Sequence, residues 1–348
     1  MPENFKNILI IKPSAMGDIA LALPALSALR TNFPDAKISF LIRPEFAPII
    51  QDHPHLDEII IFDRKFLGKA HYNPKAFAAL IKLICKLRKS KFDAVFDFQG
   101  LFRTASISWL TGCKKRFGFA CPREFAHIFY TNKITQTNDT IHLVDYYLEI
   151  IKSAGASDIK AEFILPQNND AEKYVKDLLH KHTIEPKKFA VLVTGSAHPD
   201  KCWPIERFAQ LAEKISSNFN LKITATGTDS EKHVTQKLKD IANVPVTDLA
   251  GKLSIKQLIS FLSQAAIVIS NDTGPGHIAA ALGIPVVLIF GRSNPARVAP
   301  YRKPNSIAAI DPKGRGFKPD SKNPIHNLQD ITVENVFKNV TQHLKQKE

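Results

Sequence analysis

Short apolar runs alternate with longer helical patterns along this chain, and the whole alternation occurs twice. The first series is NILIIK (7–12), KISFLI (37–42), EIIIF (58–62) and DAVFDF (93–98), with DIALALPALSALR (18–30) and PKAFAALIKLICKLRK (74–89) between them. The second is FAVLVT (189–194), LKITAT (221–226), AAIVIS (265–270) and PVVLIF (285–290), with WPIERFAQLAEKISSN (203–218) and SIKQLISFLSQA (254–265) as its clearest helices. Strands alternating with helices are βαβ units, which build a parallel, doubly wound sheet. At 348 residues the chain is too long for one ordinary core and comfortable for two. The polar stretch PQNNDAEK (166–173) separates the series. The expected domains are therefore 1–165 and 166–328, both α/β and Rossmann-like, facing each other across a cleft. Residues 329–348, holding DITVENVFKNVTQHLKQ (330–346), predict a closing amphipathic helix that crosses back to brace the first domain.

Forty-seven Lys and Arg against 33 Asp and Glu give a net charge of +14, which attracts polyanions. The basic residues read as spread along the chain, with no basic tail and no aromatic RNA-binding signature, which argues against nucleic acid. Cysteines 85, 113, 121 and 202 form no CxxC pair and no cluster with histidine, so free thiols in a reducing compartment are expected and no metal site. The N-terminus has too short an apolar run for a signal peptide, and no segment approaches the ~20 apolar residues of a membrane span. A cytoplasmic protein follows, one that can still lie on a membrane. The helix at 74–89 bears on that point: Phe77, Leu80, Ile81, Ile84 and Leu87 make an apolar stripe, with lysines 75, 82, 86 and 89 elsewhere. It reads as a crossover helix packed on the sheet, or as a basic amphipathic helix on an anionic bilayer.

In open α/β sheets, ligands sit beyond the carboxyl ends of the strands. Three loops in that position carry chemistry. In KPSAMGDIA (12–20), Gly17 permits a tight turn and Asp18 stands where the next helix begins. Aspartate there is an N-cap or a base that takes a proton from an attacking hydroxyl. In TGSAHPDKCWP (194–204), Thr194, Gly195, Ser196 and Lys201 offer hydroxyls, N–H groups and an ammonium to an anion, with Pro204 near the first position of the next helix. No GxxxxGK[ST] occurs, which argues against a P-loop NTPase. In VISNDTGPGHIAAALGIPVVLIFGR (268–292), Asp272, Thr273, Gly274 and His277 sit at a strand-to-helix turn whose helix N-terminus suits a phosphate. Gly274, Gly276 and Ala279 also satisfy the dinucleotide fingerprint, with Arg292 after the next strand, so an NADP-dependent oxidoreductase competes. Pro275, which cannot donate an N–H, and the carboxylate of Asp272 weigh against it.

Taken together, KPSAMGDIALALPALSALR, PDAKISFLIRPEFAPIIQDHPHLDEIIIF, GSAHPDKCWP and SNDTGPGHIAAALGIPVVLIFG resemble the lipopolysaccharide heptosyltransferases of glycosyltransferase family 9, in order and over about residues 7–301. The resemblance implies the GT-B fold, with acceptor held by the first domain and nucleotide-sugar donor by the second. It implies inverting transfer of L-glycero-D-manno-heptose from ADP-heptose to Kdo or heptose on lipid A, with no metal and no other cofactor. It places the catalytic base at Asp18, a second catalytic residue that also binds the donor at Lys201, and further donor contacts at Thr194, Ser196, Glu231 (in GTDSEK), Asp272, Thr273, Gly274 and His277. Acceptor contacts fall at Gly17, Arg64, Arg103 and Arg123. Some members have a Thr-Thr pair where this chain reads Ser196-Ala197. The implied setting is the inner face of the inner membrane, with the +14 charge suiting an acceptor that carries phosphates and carboxylates. A monomer is expected, since no heptad run occurs. A nucleotide-sugar epimerase on the same fold is the other rival, one that would need no acceptor.

Overall fold

The computed structural model describes residues 4–196, 198–313 and 315–345. The chain forms two compact units, 1–166 and 167–348. The first contains strands β1 (Asn7–Ile11), β2 (Lys37–Ile42), β3 (Glu58–Ile61), β4 (Ala94–Asp97), β5 (Arg116–Phe119) and β6 (Asn132–Ile134). Its helices are α1 (Met16–Asn32), α2 (Arg64–Leu67), α3 (Pro74–Lys89), α4 (Phe102–Leu110) and α5 (Leu143–Lys152). All strand pairs are parallel, in the order β3-β2-β1-β4-β5-β6. The chain winds outward from β1 in one direction and from β4 in the other, so the switch point lies between them. There Ile11 pairs with Asp97, which brings the loops starting at Lys12 and Phe98 side by side.

The second unit repeats the plan with helices α6 (Asn169–Lys181), α7 (Ile205–Phe219), α8 (Lys232–Ile241), α9 (Ile255–Ser263), α10 (Gly274–Ala281), α11 (Pro295–Val298) and α12 (Val333–Lys345). Its strands are β7 (Phe189–Val193), β8 (Lys222–Thr226), β9 (Val246–Asp248), β10 (Ile267–Asn271), β11 (Val286–Phe290) and β12 (Ile307–Ala309). Their order is β12-β11-β10-β7-β8-β9, again parallel, with the switch point between β7 and β10. Ser270 pairs with Val193, so the loops opening at Thr194 and Asn271 lie together.

Three helices differ from their sequence patterns. Helix α1, read as amphipathic, is buried on nearly every side, from Gly17 and Ile19 through Leu29, because α5 packs on the face turned away from the sheet. In α3 the predicted stripe is not the buried face: of its residues only Leu87 enters the core, together with Leu83 from outside the stripe, against Ile11, Ile60 and Val95, while Phe77 and Ile81 point to solvent. An interior arc of Ala76, Leu83 and Leu87 is enough to seat the helix, which leaves the second line uncovered. The closing helix α12, expected at 330–346 as a brace for the first domain, packs on α7, β11 and β12 of its own unit. Val333, Val336 and Val340 are buried there with Ile289 and Ala308. Residue 346 and those after it lie outside the described residues.

In the loop between β2 and β3, His53 is buried and fixed from both sides. Its Nδ1 accepts the His55 N–H at 3.1 Å, so Nε2 carries the proton and donates to the Ile164 carbonyl at 3.1 Å. Burial pulls its pKa down to about 4. No helix among the described residues is long and apolar enough to cross a membrane. The four cysteines are free.

Candidate active site

Both switch points carry a carboxylate facing a lysine, each at the start of a helix that follows a strand. In the first unit, β1 ends at Ile11 and the next residue, Lys12, is 3% exposed. Its Nζ lies 3.4 Å from Asp18 Oδ2 and 5.9 Å above the Tyr147 ring. Burial alone would lower the Lys12 pKa, but Asp18 and the Tyr147 hydroxyl together raise it, so the ammonium is firmly protonated. Asp18 is not the N-cap that its position suggested but the third residue of α1. The N-cap is Ala15, which has no side-chain acceptor, and Asp18 reaches back to the Ala15 N–H at 3.4 Å. Both contacts are long, and the Asp18 side chain stays 39% exposed. Gly17, expected to permit a tight turn, is the second residue of α1 and is buried.

Next to this pair, Asp97 ends β4 fully buried. It accepts N–H groups of Gln99 and Gly100 and the Tyr130 hydroxyl at 2.7 Å, and burial pushes its pKa up. These bonds shape the loop leading into α4. The predicted acceptor arginines stand apart from one another in sequence and element. Arg64 opens α2, Arg103 is in the first turn of α4, and Arg123 precedes a 3-10 turn at Ala126–Phe129. All three are exposed, and none has an ion-pair or hydrogen-bond partner for its guanidinium among the described residues.

The second unit brings its predicted residues much closer together. Asp272 follows β10 and is held at both oxygens: His277 Nε2–H donates to Oδ1 at 2.9 Å, and Lys201 Nζ lies 3.4 Å from Oδ2. Burial would raise the Asp272 pKa, yet the His277 hydrogen bond and the Lys201 charge outweigh it and hold the carboxyl far below the usual range. Nδ1 of His277 and Oγ1 of Thr194 are buried without a hydrogen-bond partner among the described residues. Thr273 is the N-cap of α10, with its Oγ1 3.1 Å from Ser270 Oγ, and Gly274 begins the helix. Pro275 has no N–H, so within the first turn of α10 it is the Gly274 and Gly276 N–H groups that can meet an anion. A Cβ on Gly276 would lie 2.3 Å from Leu288 Cδ2 and 2.8 Å from Ser270 Oγ, so glycine is what lets α10 sit this close to the sheet.

Glu231 joins this group from the loop after β8. Its Oε2 accepts the N–H and hydroxyl of Thr228, at 2.6 and 2.8 Å. A Cβ on Gly195 would overlap its carboxylate, which shows how closely Glu231 lies against the Thr194–Ser196 loop. Ser196 accepts the His198 N–H at 3.3 Å; Ala197 between them lies outside the described residues. Pro204 is the N-cap of α7 and not its first residue.

Two residues essential to this architecture escaped the sequence reading. Lys12 is the first polar residue after β1. Asn271 is fully buried at the end of β10, where Nδ2 donates to the Thr194 carbonyl at 2.8 Å and Oδ1 accepts the Trp203 N–H at 2.9 Å. It ties the loop carrying Lys201 to the loop carrying Asp272. The available signal is position: Lys12 is the first polar residue after the apolar run of β1, and Asn271 lies in the polar run Ser270–Thr273 that ends β10. Among the described residues no three His, Cys, Asp or Glu side chains gather as a metal site.

Comparison with known proteins gives this geometry a context. The sequence profile of Glycosyltransferase family 9 (heptosyltransferase) matches residues 80–323. Lipopolysaccharide heptosyltransferase 1 of Escherichia coli K12 is 27% identical, over 93% of this chain and 99% of that protein. Among solved structures, the family 9 glycosyl transferase of Veillonella parvula superimposes with a TM-score of 0.83 at 22% identity, over 99% of both chains. E. coli heptosyltransferase WaaC, solved with ADP-2-deoxy-2-fluoro heptose, gives 0.73 at 23% identity, over 98% of this chain and 100% of that one.

Proposed function

The chain belongs to glycosyltransferase family 9, the heptosyltransferases, and from that premise we propose that it transfers L-glycero-D-manno-heptose from ADP-heptose to the lipopolysaccharide inner core, with inversion and without a metal. The acceptor is a Kdo or heptose residue on lipid A. The observation that carries the donor half of this reading is the Lys201–Asp272–His277 cluster at the mouth of α10. Departure of ADP needs growing negative charge stabilised where the sugar–phosphate bond breaks. A lysine and a helix N-terminus do so in a preorganised way. Asp272 and His277 keep that lysine and that turn in register. Thr194, Ser196, Thr273, Gly274 and Glu231 complete the nucleotide contacts.

Asp18 is the proposed base. As the acceptor hydroxyl oxygen forms its bond to the anomeric carbon, the carbon–oxygen bond to the diphosphate breaks, ADP departs and the hydroxyl proton passes to Asp18. The transition state resembles the oxocarbenium-like one of glycoside hydrolysis. A base supplies about 10²–10⁴-fold of the acceleration. Lys12 is a positioning residue that aims the carboxylate, and the open side of Asp18 is the one a hydroxyl can approach. Arg64, Arg103 and Arg123, with Gly17, are the proposed acceptor contacts; unpaired guanidiniums suit phosphates and carboxylates. The protein would act as a cytoplasmic monomer at the inner face of the inner membrane.

The competing NADP-dependent and epimerase readings require no acceptor and no role for Asp18. The test is incubation with ADP-heptose and Kdo-bearing or heptosylated lipid A in the presence of a chelator. Release of ADP coupled to a product of inverted anomeric configuration is expected. ADP-heptose consumed without acceptor, or activity only with added divalent metal, would overturn the respective parts of the proposal.

A further inference from the structure

The +14 charge is not spread evenly after all. Residues 64–133 hold 15 Lys and Arg against 3 Asp and Glu, a net +12. This segment builds one side of the first unit. Helices α2, α3 and α4 and the turn Ala126–Phe129 pack side by side in sequence, whereas α1 packs with α5. Right-handed crossovers put these two groups on opposite faces of the sheet. The outer surface of the first group is also rich in large apolar side chains. Phe77 and Ile81 on α3, Phe102 and Trp109 on α4, and Phe125 and Ile128 at the turn are each at least 44% exposed. The Phe129 ring lies between Phe102 and Trp109, at 5.2 and 6.3 Å, so the aromatic residues of α4 and the turn form one patch. The second unit, by contrast, exposes Tyr174, Ile241, Phe317 and Ile325, on separate elements.

We propose that this face docks on the surface of an anionic phospholipid bilayer, with Trp109, Phe125 and their neighbours entering the headgroup region and the surrounding lysines and arginines meeting lipid phosphates. The proposal rests on the functional reading only in that a lipid-anchored acceptor gives such docking a purpose. Aromatic side chains of this size are stable at a membrane–water interface, and clustered Lys and Arg are drawn to an anionic leaflet. Exposed apolar groups gathered on one side mark an interaction surface. Their spread over a broad helical layer, with mainly basic charges among them, matches a planar polyanion better than a grooved protein partner. Acidic groups neutralise little of it. Glu58 pairs with Lys86 of α3 at 2.6 Å, while Glu124 accepts the Phe102 N–H at 3.2 Å, Asp93 accepts the Lys6 and Asn7 N–H groups, and Asp97 is buried. The net +12 of the segment already counts the last three carboxylates.

The test is co-sedimentation of the full chain with vesicles of phosphatidylethanolamine containing phosphatidylglycerol, against vesicles of phosphatidylcholine alone. Binding to the anionic vesicles that weakens with salt is expected. Trp109→Ser with Phe125→Ser, and separately Lys75→Glu with Lys82→Glu, should each reduce it by about tenfold or more. Phe317→Ser and Lys176→Glu with Lys239→Glu, all in the second unit, should leave it unchanged. No vesicle binding, equal binding to neutral vesicles, or loss with the second-unit variants would overturn the proposal. So would self-association that Trp109→Ser abolishes, which would make the face an interface between copies. Transfer to a water-soluble, deacylated acceptor should survive in every variant. Its absence in the unmodified protein would fault the functional reading and leave the vesicle result standing.

Discussion

The carboxylate at the second unit's switch point is 10% exposed and engages a histidine and a lysine, whereas its counterpart in the first unit is 39% exposed and meets one lysine across 3.4 Å. The same topology thus supports one closed cluster and one open one. The difference follows from what surrounds each turn. In the second unit a buried asparagine crosses from one loop to the other, and a glycine lets the helix press against the sheet. In the first, the buried partner is the lysine, at 4% side-chain exposure, leaving the acid outside. On the proposed reading, a site that holds a departing diphosphate would gain from rigidity, and a base that meets an incoming hydroxyl would need an unoccupied side.

The contrast can be broken most forcefully at Asp18. Asp18→Asn should lower kcat by about 10²–10⁴-fold with folding unchanged. Full activity in that variant would remove the first unit from the chemistry.

The next largest effect concerns pH and stability. His53 has its pKa lowered from 6.5 to about 4, so the unfolded chain takes up a proton that the folded first unit refuses. Stability should therefore fall as pH drops through that window, by about 3 kcal/mol. His53→Gln should flatten that stretch of the curve in chemical denaturation. Asp272 behaves differently: its depressed pKa stabilises the second unit above the ordinary aspartate value, and that contribution fades only as the solution becomes strongly acid. An Asp272→Asn variant should lose about 1.5–3 kcal/mol of stability at neutral pH, with weakened ADP binding. The smallest of these effects is expected at Asn271. Asn271→Ala leaves the Thr194 carbonyl and the Trp203 N–H unpaired in the core, a cost of about 1–3 kcal/mol readable as a shifted denaturation midpoint.

The eight strands and five helices read from the pattern are all present, within a few residues. Strands β5, β6, β9 and β12 carry no comparable signal, and length alone is not the reason, since β3 and β4 are also four residues. The runs around β3 and β4, EIIIF and DAVFDF, are dense in large apolar side chains, whereas RFGF, NKI, VTD and IAA are interrupted by glycine, by polar residues or by alanine. The all-round burial of α1 and the outward line of Phe77 and Ile81 on α3 depend on which neighbours arrive, and a single segment does not encode that. At the second switch point the candidate residues were legible because glycines, a proline and an aspartate cluster in one turn. Lys12, a single lysine before Pro13, and Asn271, one of four consecutive polar residues, are not singled out by any pattern. Their importance appears only once the parallel register sets two loops side by side.

The separation of donor holding from base catalysis is tested most directly by calorimetric titration of ADP, with a chelator present, into the unmodified protein, Asp18→Asn and Asp272→Asn. ADP affinity is predicted to be the same in the first two and clearly weaker in the third, with UDP and NADP weaker than ADP throughout. Loss of ADP binding in Asp18→Asn, full binding in Asp272→Asn, or a preference for NADP would contradict the account.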